Sequence, residues 1–443
     1  MASEPAWVRH ALWWHLYPLG FVGAEREAPG GTGIVHRLGH IKAWLDYVVE
    51  LGASGLALGP IFASSSHGYD TVDHFRIDSR LGDDADFDDL LAAAHDRGVR
   101  VILDGVFNHV GRAFPAFQEV LREGAAAAHA SWFRLARPAG TEPHYQTFEG
   151  HDRLVVLNHD DPAVGDYVVR VMDYWLDRGA DGWRLDAAHA VPRRFWAEVL
   201  PRVRTGHPEA YFVGEVFHGD YSAFVRETGM DAITQYELWK AIWSALNDRN
   251  FFELAWALER HNGFLATFKP MTFVGNHDVT RLASQLADER HLPHALVVLF
   301  TVGGTPSVYS GDEQAFRGIK EERPGGDDAI RPAFPETPAG LCAAGWPIFR
   351  LHQQLIGLRH RHAWLHAARV SPLHLSNQCL VYESSHADHR LLVALNLGDG
   401  AVSQTVPRAS AIAAGLGALQ AAGQATARID LPAHGWAILE VEP

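Results

Sequence analysis

The stretch FDDLLAAAHDRGVRVILDGVFNH, residues 87–109, holds one complete structural unit. Phe87 to Arg97 carries apolar residues at helical spacing, and Gly98 follows as its stop. Val99 to Val106 is then a short, nearly continuous apolar run rich in β-branched residues. It is studded and followed by polar groups: Asp104, Asn108 and His109. A strand that does not alternate with polar residues is covered on both faces, as parallel strands in α/β proteins are.

The same unit recurs on both sides. Upstream lie a strand at Leu12 to Tyr17, a helix at His40 to Leu51 and a strand at Gly55 to Leu58. Downstream come strands at Gly182 to Leu185, Tyr211 to Val213, Ala232 to Thr234, Met271 to Val274 and Thr305 to Tyr309. Helices at Asp166 to Arg178, Arg193 to Val203, Phe252 to His261, His291 to Thr301 and Trp346 to His360 separate or follow them. Strands alternating with helices in this way predict an α/β fold, a closed (β/α)8 TIM barrel. The period lapses between Val110 and Gly165, which predicts a small insertion after strand 3. From Ser371 the pattern turns to short alternating strands, which predicts a C-terminal antiparallel β-sandwich. The expected division is a catalytic barrel at 1–109 and 166–368, an insertion at 110–165 and an all-β domain at 369–443.

Composition narrows the function. Apolar residues at 47% and charged residues at 21% of the 443 exclude a disordered or coiled-coil chain. Thirty-eight Lys and Arg against 53 Asp and Glu give a net charge of −15, so neither nucleic acid nor an anionic membrane is the expected partner. Cys342 and Cys379 cannot build a disulfide framework or a four-cysteine zinc site. No signal-peptide pattern opens the chain and no apolar run approaches a membrane span, so the reading is a cytoplasmic protein. The sequence sets no oligomeric state.

Catalytic groups of a barrel sit at the C-terminal ends of its strands. Strand 3 ends in Asp104, Asn108 and His109; strand 4 in Arg184 and Asp186; strand 5 in Glu215, Phe217 and His218; strand 7 in Asn276, His277 and Asp278. Four carboxylates at one mouth are costly to bury unless paired, and glycosidic hydrolysis uses such a pair. One carboxylate must stay ionised, and Arg184, two residues before Asp186 on the same strand face, is expected to lower its pKa. The other must hold a proton, and Glu215 lies among Val213, Val216 and Phe217.

These segments resemble the four short signature regions of the α-amylase family of glycoside hydrolases. Asp104-x-x-x-Asn108-His109 resembles the first, Gly182-x-Arg184-x-Asp186 the second, Gly214-Glu215 the third and Asn276-His277-Asp278 the fourth. Gly68-Tyr69-Asp70 with Ile77-Asp78-x-Arg80-x-Gly82, Leu157-Asn158, and Tyr309-x-Gly311-Asp312-Glu313 resemble three further family segments in the same order. The resemblance implies a retaining hydrolase of α-glucosidic bonds in malto-oligosaccharides or related small α-glucans. It casts Asp186 as the nucleophile that forms a covalent glycosyl-enzyme, Glu215 as general acid/base and Asp278 as holder of the sugar hydroxyls. Arg184 would orient Asp186, His109 and His277 would bind sugar hydroxyls, and Tyr69 would stack on the sugar. Asp104 would brace the barrel interior and Asn108 would fix the insertion. Asp70, His189, Phe217, His218 and Arg331 complete the expected sugar-binding set.

The motif style is nearest to the cyclomaltodextrinase and neopullulanase group. That group usually carries an extra N-terminal domain, whereas the first strand here is expected near residue 12. The Lys-His pair that typical α-amylases carry after the nucleophile is replaced by His189-Ala190. Arg153-Leu-Val-Val stands where many calcium-binding members have an Asp, so no essential metal and no required cofactor is expected, and a structural calcium ion is not favoured. Two alternatives share the scaffold: a transglycosylase or isomerase, and an inactive carbohydrate-binding barrel. Inactive relatives lose the acidic residues, whereas Asp186, Glu215 and Asp278 are all present.

Overall fold

A computed structural model describes residues 4–28, 33–136, 144–323 and 325–441. Eight parallel strands form one sheet: β1 (Trp13–Leu16), β2 (Gly55–Leu58), β3 (Arg100–Gly105), β4 (Gly182–Leu185), β5 (Tyr211–Gly214), β6 (Ala232–Ile233), β7 (Met271–Phe273) and β8 (Thr305–Tyr309). Their order is β6-β5-β4-β3-β2-β1-β8-β7. A single parallel bridge between Thr234 and Met271 joins the two ends into a closed barrel. Nearly every residue of these strands is buried, because helices cover the outside and side chains fill the inside.

Most expected helices are present with shifted ends. The helix after the insertion runs Pro162–Asp177, not from Asp166, because Asp161 caps it by accepting from the Ala163 N–H and Pro162 fills its first position. The expected boundary between residues 165 and 166 therefore falls inside this helix. The helix expected at His40 to Leu51 is two pieces, Leu38–Lys42 and Leu45–Leu51. Between them Trp44 turns inward, stacks on Trp14 at 6.2 Å and donates to the Pro335 carbonyl at 3.1 Å. Helices at Tyr221–Thr228 and Tyr236–Asn247 had no counterpart in the sequence reading.

Within the insertion, strands His109–Gly111, Thr147–Phe148 and His151–Val156 form an antiparallel sheet. This sheet rises directly from the end of β3. Gly111 packs so closely under the loop after β2 that a Cβ there would lie 2.3 Å from the Asp70 carbonyl oxygen.

The C-terminal part begins with the strand Arg369–Leu375 and holds two antiparallel sheets. The larger orders Arg369–Leu375, Cys379–His386, His389–Asn396, Trp436–Val441 and Ala409–Gly415. The smaller orders Val402–Pro407, Thr426–Leu431 and Ala418–Ala421. Leu380, Tyr382, Leu391, Val393 and Ile438 on one face of the larger sheet join the barrel core. Val381, Leu392, Ala394 and Leu439 on its other face pack on Val406, Ile429 and Leu431 of the smaller sheet. Among the described residues no helix is long and apolar enough to cross a membrane.

Candidate active site

The strand register brings the site together. Arg184 on β4 pairs with Asp104 on β3, and Leu185 with Gly214 on β5. The ladder runs one residue further, since the Asp186 N–H donates to the Gly105 carbonyl at 3.0 Å and the Glu215 N–H to that of Leu185 at 2.9 Å. Asp186 and Glu215 thus stand side by side on adjacent strands. Ala187, immediately after Asp186, sits at φ 44°, a left-handed value that costs a non-glycine residue energy. The turn aims its N–H at Glu215 Oε2, 3.1 Å away.

One guanidinium organises three carboxylates. Arg184 Nη1 donates to both oxygens of Asp104, at 2.7 and 2.6 Å, and reaches Asp186 at 3.2 Å. Its Nη2 donates to Glu215 Oε1, which also accepts from the Tyr236 hydroxyl at 3.3 Å. The expectation that Arg184 holds the Asp186 pKa low is not met. Burial, and then the charge of Glu215, push Asp186 well above the usual carboxylate range. Arg184 spends its closest contacts on Asp104 and Glu215, and one positive charge cannot neutralise three buried acids.

Across the mouth, burial would raise Asp278, but His277, Arg331 and Arg184 hold it well below the usual range. Arg331 Nη2 donates to Asp278 at 2.7 Å and pairs with Asp327 at 3.0 Å. The Arg331 guanidinium also lies over the Tyr17 ring. His277 Nε2 approaches Asp278 at 3.0 Å and the Tyr69 hydroxyl more closely still. Tyr69, Tyr17 and His277 form a parallel ring layer, with His277 5.6 Å from Tyr69 and 6.0 Å from Tyr17.

Tyr69, His109, Asp186, Glu215, Phe217 and Asp278 line one cavity of about 260 Å³. It continues past Tyr69, Phe148 and Asp278 into a groove of about 940 Å³ walled by Tyr17, Asp327 and Arg331. Other expected residues stand apart from it. Asp70 is buried behind the loop, where both oxygens accept from Ser66, at 3.0 and 2.7 Å. His109 faces the cavity, but its nitrogens are occupied by the Tyr69 carbonyl and the Asn108 amide, both 3.1 Å away. The carbonyl of Asn108 accepts from the Leu157 N–H at 3.1 Å, which ties the end of the insertion to β3. His189 lies at the rim, 3.3 Å from the Glu215 carbonyl, and His218 is exposed beyond it.

Residues 17–337 match the family profile described as "Alpha amylase, catalytic domain". The chain belongs to the α-amylase family. It is 31% identical to a cyclomaltodextrinase of Bacillus sp over 399 residues, 82% of this chain and 68% of that protein. It is 30% identical to neopullulanase 2 of Thermoactinomyces vulgaris over 413 residues, 86% and 68% of the two chains. Its structure is similar to the native debranching enzyme of Nostoc punctiforme, with a TM-score of 0.85 at 27% identity and all of both chains covered. This α-amylase family member is thus a glycoside hydrolase by descent.

The family member's site also includes groups that the sequence reading passed over. Tyr236 joins Glu215 to Asn276, whose amide donates to the Tyr236 hydroxyl at 2.9 Å. It lies just beyond Thr234 at the end of β6, where the strand-end rule applied to strands 3, 4, 5 and 7 would have found it. Phe148, Glu149 and Leu154 line the cavity from the insertion, and Lys320 from the segment after β8. No periodic pattern in the sequence marks these.

Proposed function

We propose that the chain is a retaining hydrolase of α-glucosidic bonds in malto-oligosaccharides and related small α-glucans. One observation carries this reading: Asp186 and Glu215 share the guanidinium of Arg184 at adjacent strand ends, and Asp278 faces the same cavity. Two carboxylates gripped by one side chain suit direct attack on the anomeric carbon, whereas an inverting enzyme needs roughly 6.5–9.5 Å between them for a water. The similarity to a cyclomaltodextrinase and a neopullulanase supports the substrate class.

Arg184 brings one positive charge to three carboxylates, gripping Asp104 and Glu215 and reaching Asp186 at 3.2 Å. Burial and the neighbouring Glu215 charge favour a proton on Asp186, and hydrolysis needs that proton on Glu215, which shares the Arg184 guanidinium with it. Glu215 passes the proton to the leaving oxygen as bare Asp186 takes the anomeric carbon. Glu215 then removes a proton from water, which displaces Asp186. Asp278, strongly ionised, holds sugar hydroxyls and offsets positive charge developing on the ring.

Asp186→Asn and Glu215→Gln should each lower turnover of maltotriose by roughly a hundredfold or more, with an unchanged circular dichroism spectrum. Proton NMR of the wild-type reaction should show the α-anomer first. Early release of the β-anomer would reject the double displacement. Product analysis on maltose, maltotriose, cyclodextrin, pullulan and trehalose separates linkages and tells hydrolysis from sugar transfer.

A further inference from the structure

The chain has four lysines, and three are engaged. Lys42 pairs with Asp89 at 2.7 Å, Lys240 with Glu253 at 2.6 Å, and Lys269 donates to the Leu265 carbonyl at 2.8 Å. The fourth, Lys320, is half-buried and lines the cavity of Asp186, Glu215 and Asp278. Among the described residues its ammonium has no hydrogen bond or ion pair. A half-buried ammonium left unpaired beside three carboxylates is unusual, because partial burial rewards pairing.

Its position is fixed by the backbone. The Lys320 N–H donates to Thr280 Oγ1 at 3.1 Å, two residues beyond Asp278. The Gly318 N–H donates to Ser284 Oγ, and the Arg281 N–H to the Gly318 carbonyl, both at 3.0 Å. The segment after β8 is thus stitched to the segment after β7, and the lysine cannot drift far from Asp278.

The cavity has two sides. Arg331, Asp327 and Tyr17 wall the groove beyond Tyr69. Lys320 is not among the walls of that groove; it lines the catalytic cavity, as do Glu215, Val279 and Phe217, a residue 40% exposed. Glu215 must face the oxygen it protonates, so its side of the cavity receives the departing half of the substrate. We propose that Lys320 serves the leaving-group sugar, its ammonium donating to hydroxyls of the sugar held beside Phe217. This rests on the hydrolase reading above and deepens it.

Maltotriose has a leaving group with hydroxyls, whereas 4-nitrophenyl α-glucoside has none. Lys320→Met keeps the aliphatic stem and removes the donor. Its kcat/KM for maltotriose should fall about tenfold more than that for the aryl glucoside, the size of one charged hydrogen bond. Lys320→Arg should recover part of that difference. In the Glu215→Gln background, calorimetry should show weaker maltotriose binding once Lys320→Met is added. Equal losses on both substrates, or none, overturn the inference and leave the hydrolase reading standing. If the folded wild-type protein cleaves neither substrate, the reading of the site falls and this inference with it.

Discussion

Glu313, just after β8, has no exposed surface. Its oxygens accept from the Tyr47 hydroxyl and the Gly311 N–H, each at 2.9 Å. Burial pushes its pKa up from 4.5 to about 7. The folded chain therefore holds a proton that the unfolded chain has released between those values. The stability this gives is whole below pH 4.5 and is lost as pH rises through about 7. Glu313→Gln cannot ionise, so the melting temperature of wild type minus variant should decline between pH 4.5 and 7 and be level outside that window. Parallel curves across the window would overturn the assignment. At this scale the sequence was informative where side-chain position follows from strand period: Asp104, Arg184, Asp186, Glu215 and Asp278 all stand at the ends of apolar runs. It misjudged the protonation of Asp186, because no spacing reveals that Arg184 favours Asp104 over Asp186. It misplaced Asp70 for a related reason, since adjacency to Tyr69 does not show that Ser66 claims the carboxylate.

The helix Leu292–Thr301 ends against a charge. Arg359, fully buried on the helix Trp346–Arg361, donates to the carbonyls of Phe300 at 3.2 Å, Val302 at 2.9 Å and Gly304. Burial pushes its pKa down to about 9, and no carboxylate contributes to that shift. The carbonyls and the negative end of the helix serve in place of an acid. Arg359→Met fills the volume but strands three acceptors, each worth about 1–3 kcal/mol when buried and unpaired. A clear fall in the urea midpoint is expected, and an unchanged midpoint would show that water replaces the guanidinium without cost. Among the C-terminal strands, the most buried were the most legible. Cys379–His386, His389–Asn396 and Trp436–Val441 are covered on both faces and spell out continuous apolar runs. The strands Val402–Pro407, Ala409–Gly415 and Ala418–Ala421 are half-exposed and rich in Ala, Ser and Gln, so they have no such signature. The helix Tyr236–Asn247 escaped notice because Tyr236, Trp239 and Trp243 on one face and Leu238, Ala241 and Ala245 on the other leave little polar stripe to mark the period.

For the molecule as a whole, chelation should change little. In the segment Arg153-Leu-Val-Val, Arg153 points to Glu27 at 3.5 Å, and Leu154, Val155 and Val156 are buried. Among the described residues two clusters have the spacing of metal ligands. In one, Asp288 is already paired with Arg290 at 2.7 Å; in the other, Asp83 and Asp86 cap the helix Asp84–His95. EDTA should leave the melting temperature and activity in place, and a fall restored by calcium would overturn this. The barrel itself closes through β6, which is two residues long, and through the single bridge from Thr234 to Met271. The next residues, Gln235 and Tyr236, lead straight to the hydroxyl that touches Glu215. The thinnest stave of the ring is therefore the one beside the acid, and short pairings open before long ones. Heat should be felt first there. Turnover should fade on warming while circular dichroism still reports a folded chain, and cooling from that interval should restore the rate in full. Durability of activity and durability of fold should then be two separate temperatures in this molecule, and coincident loss of both would overturn this.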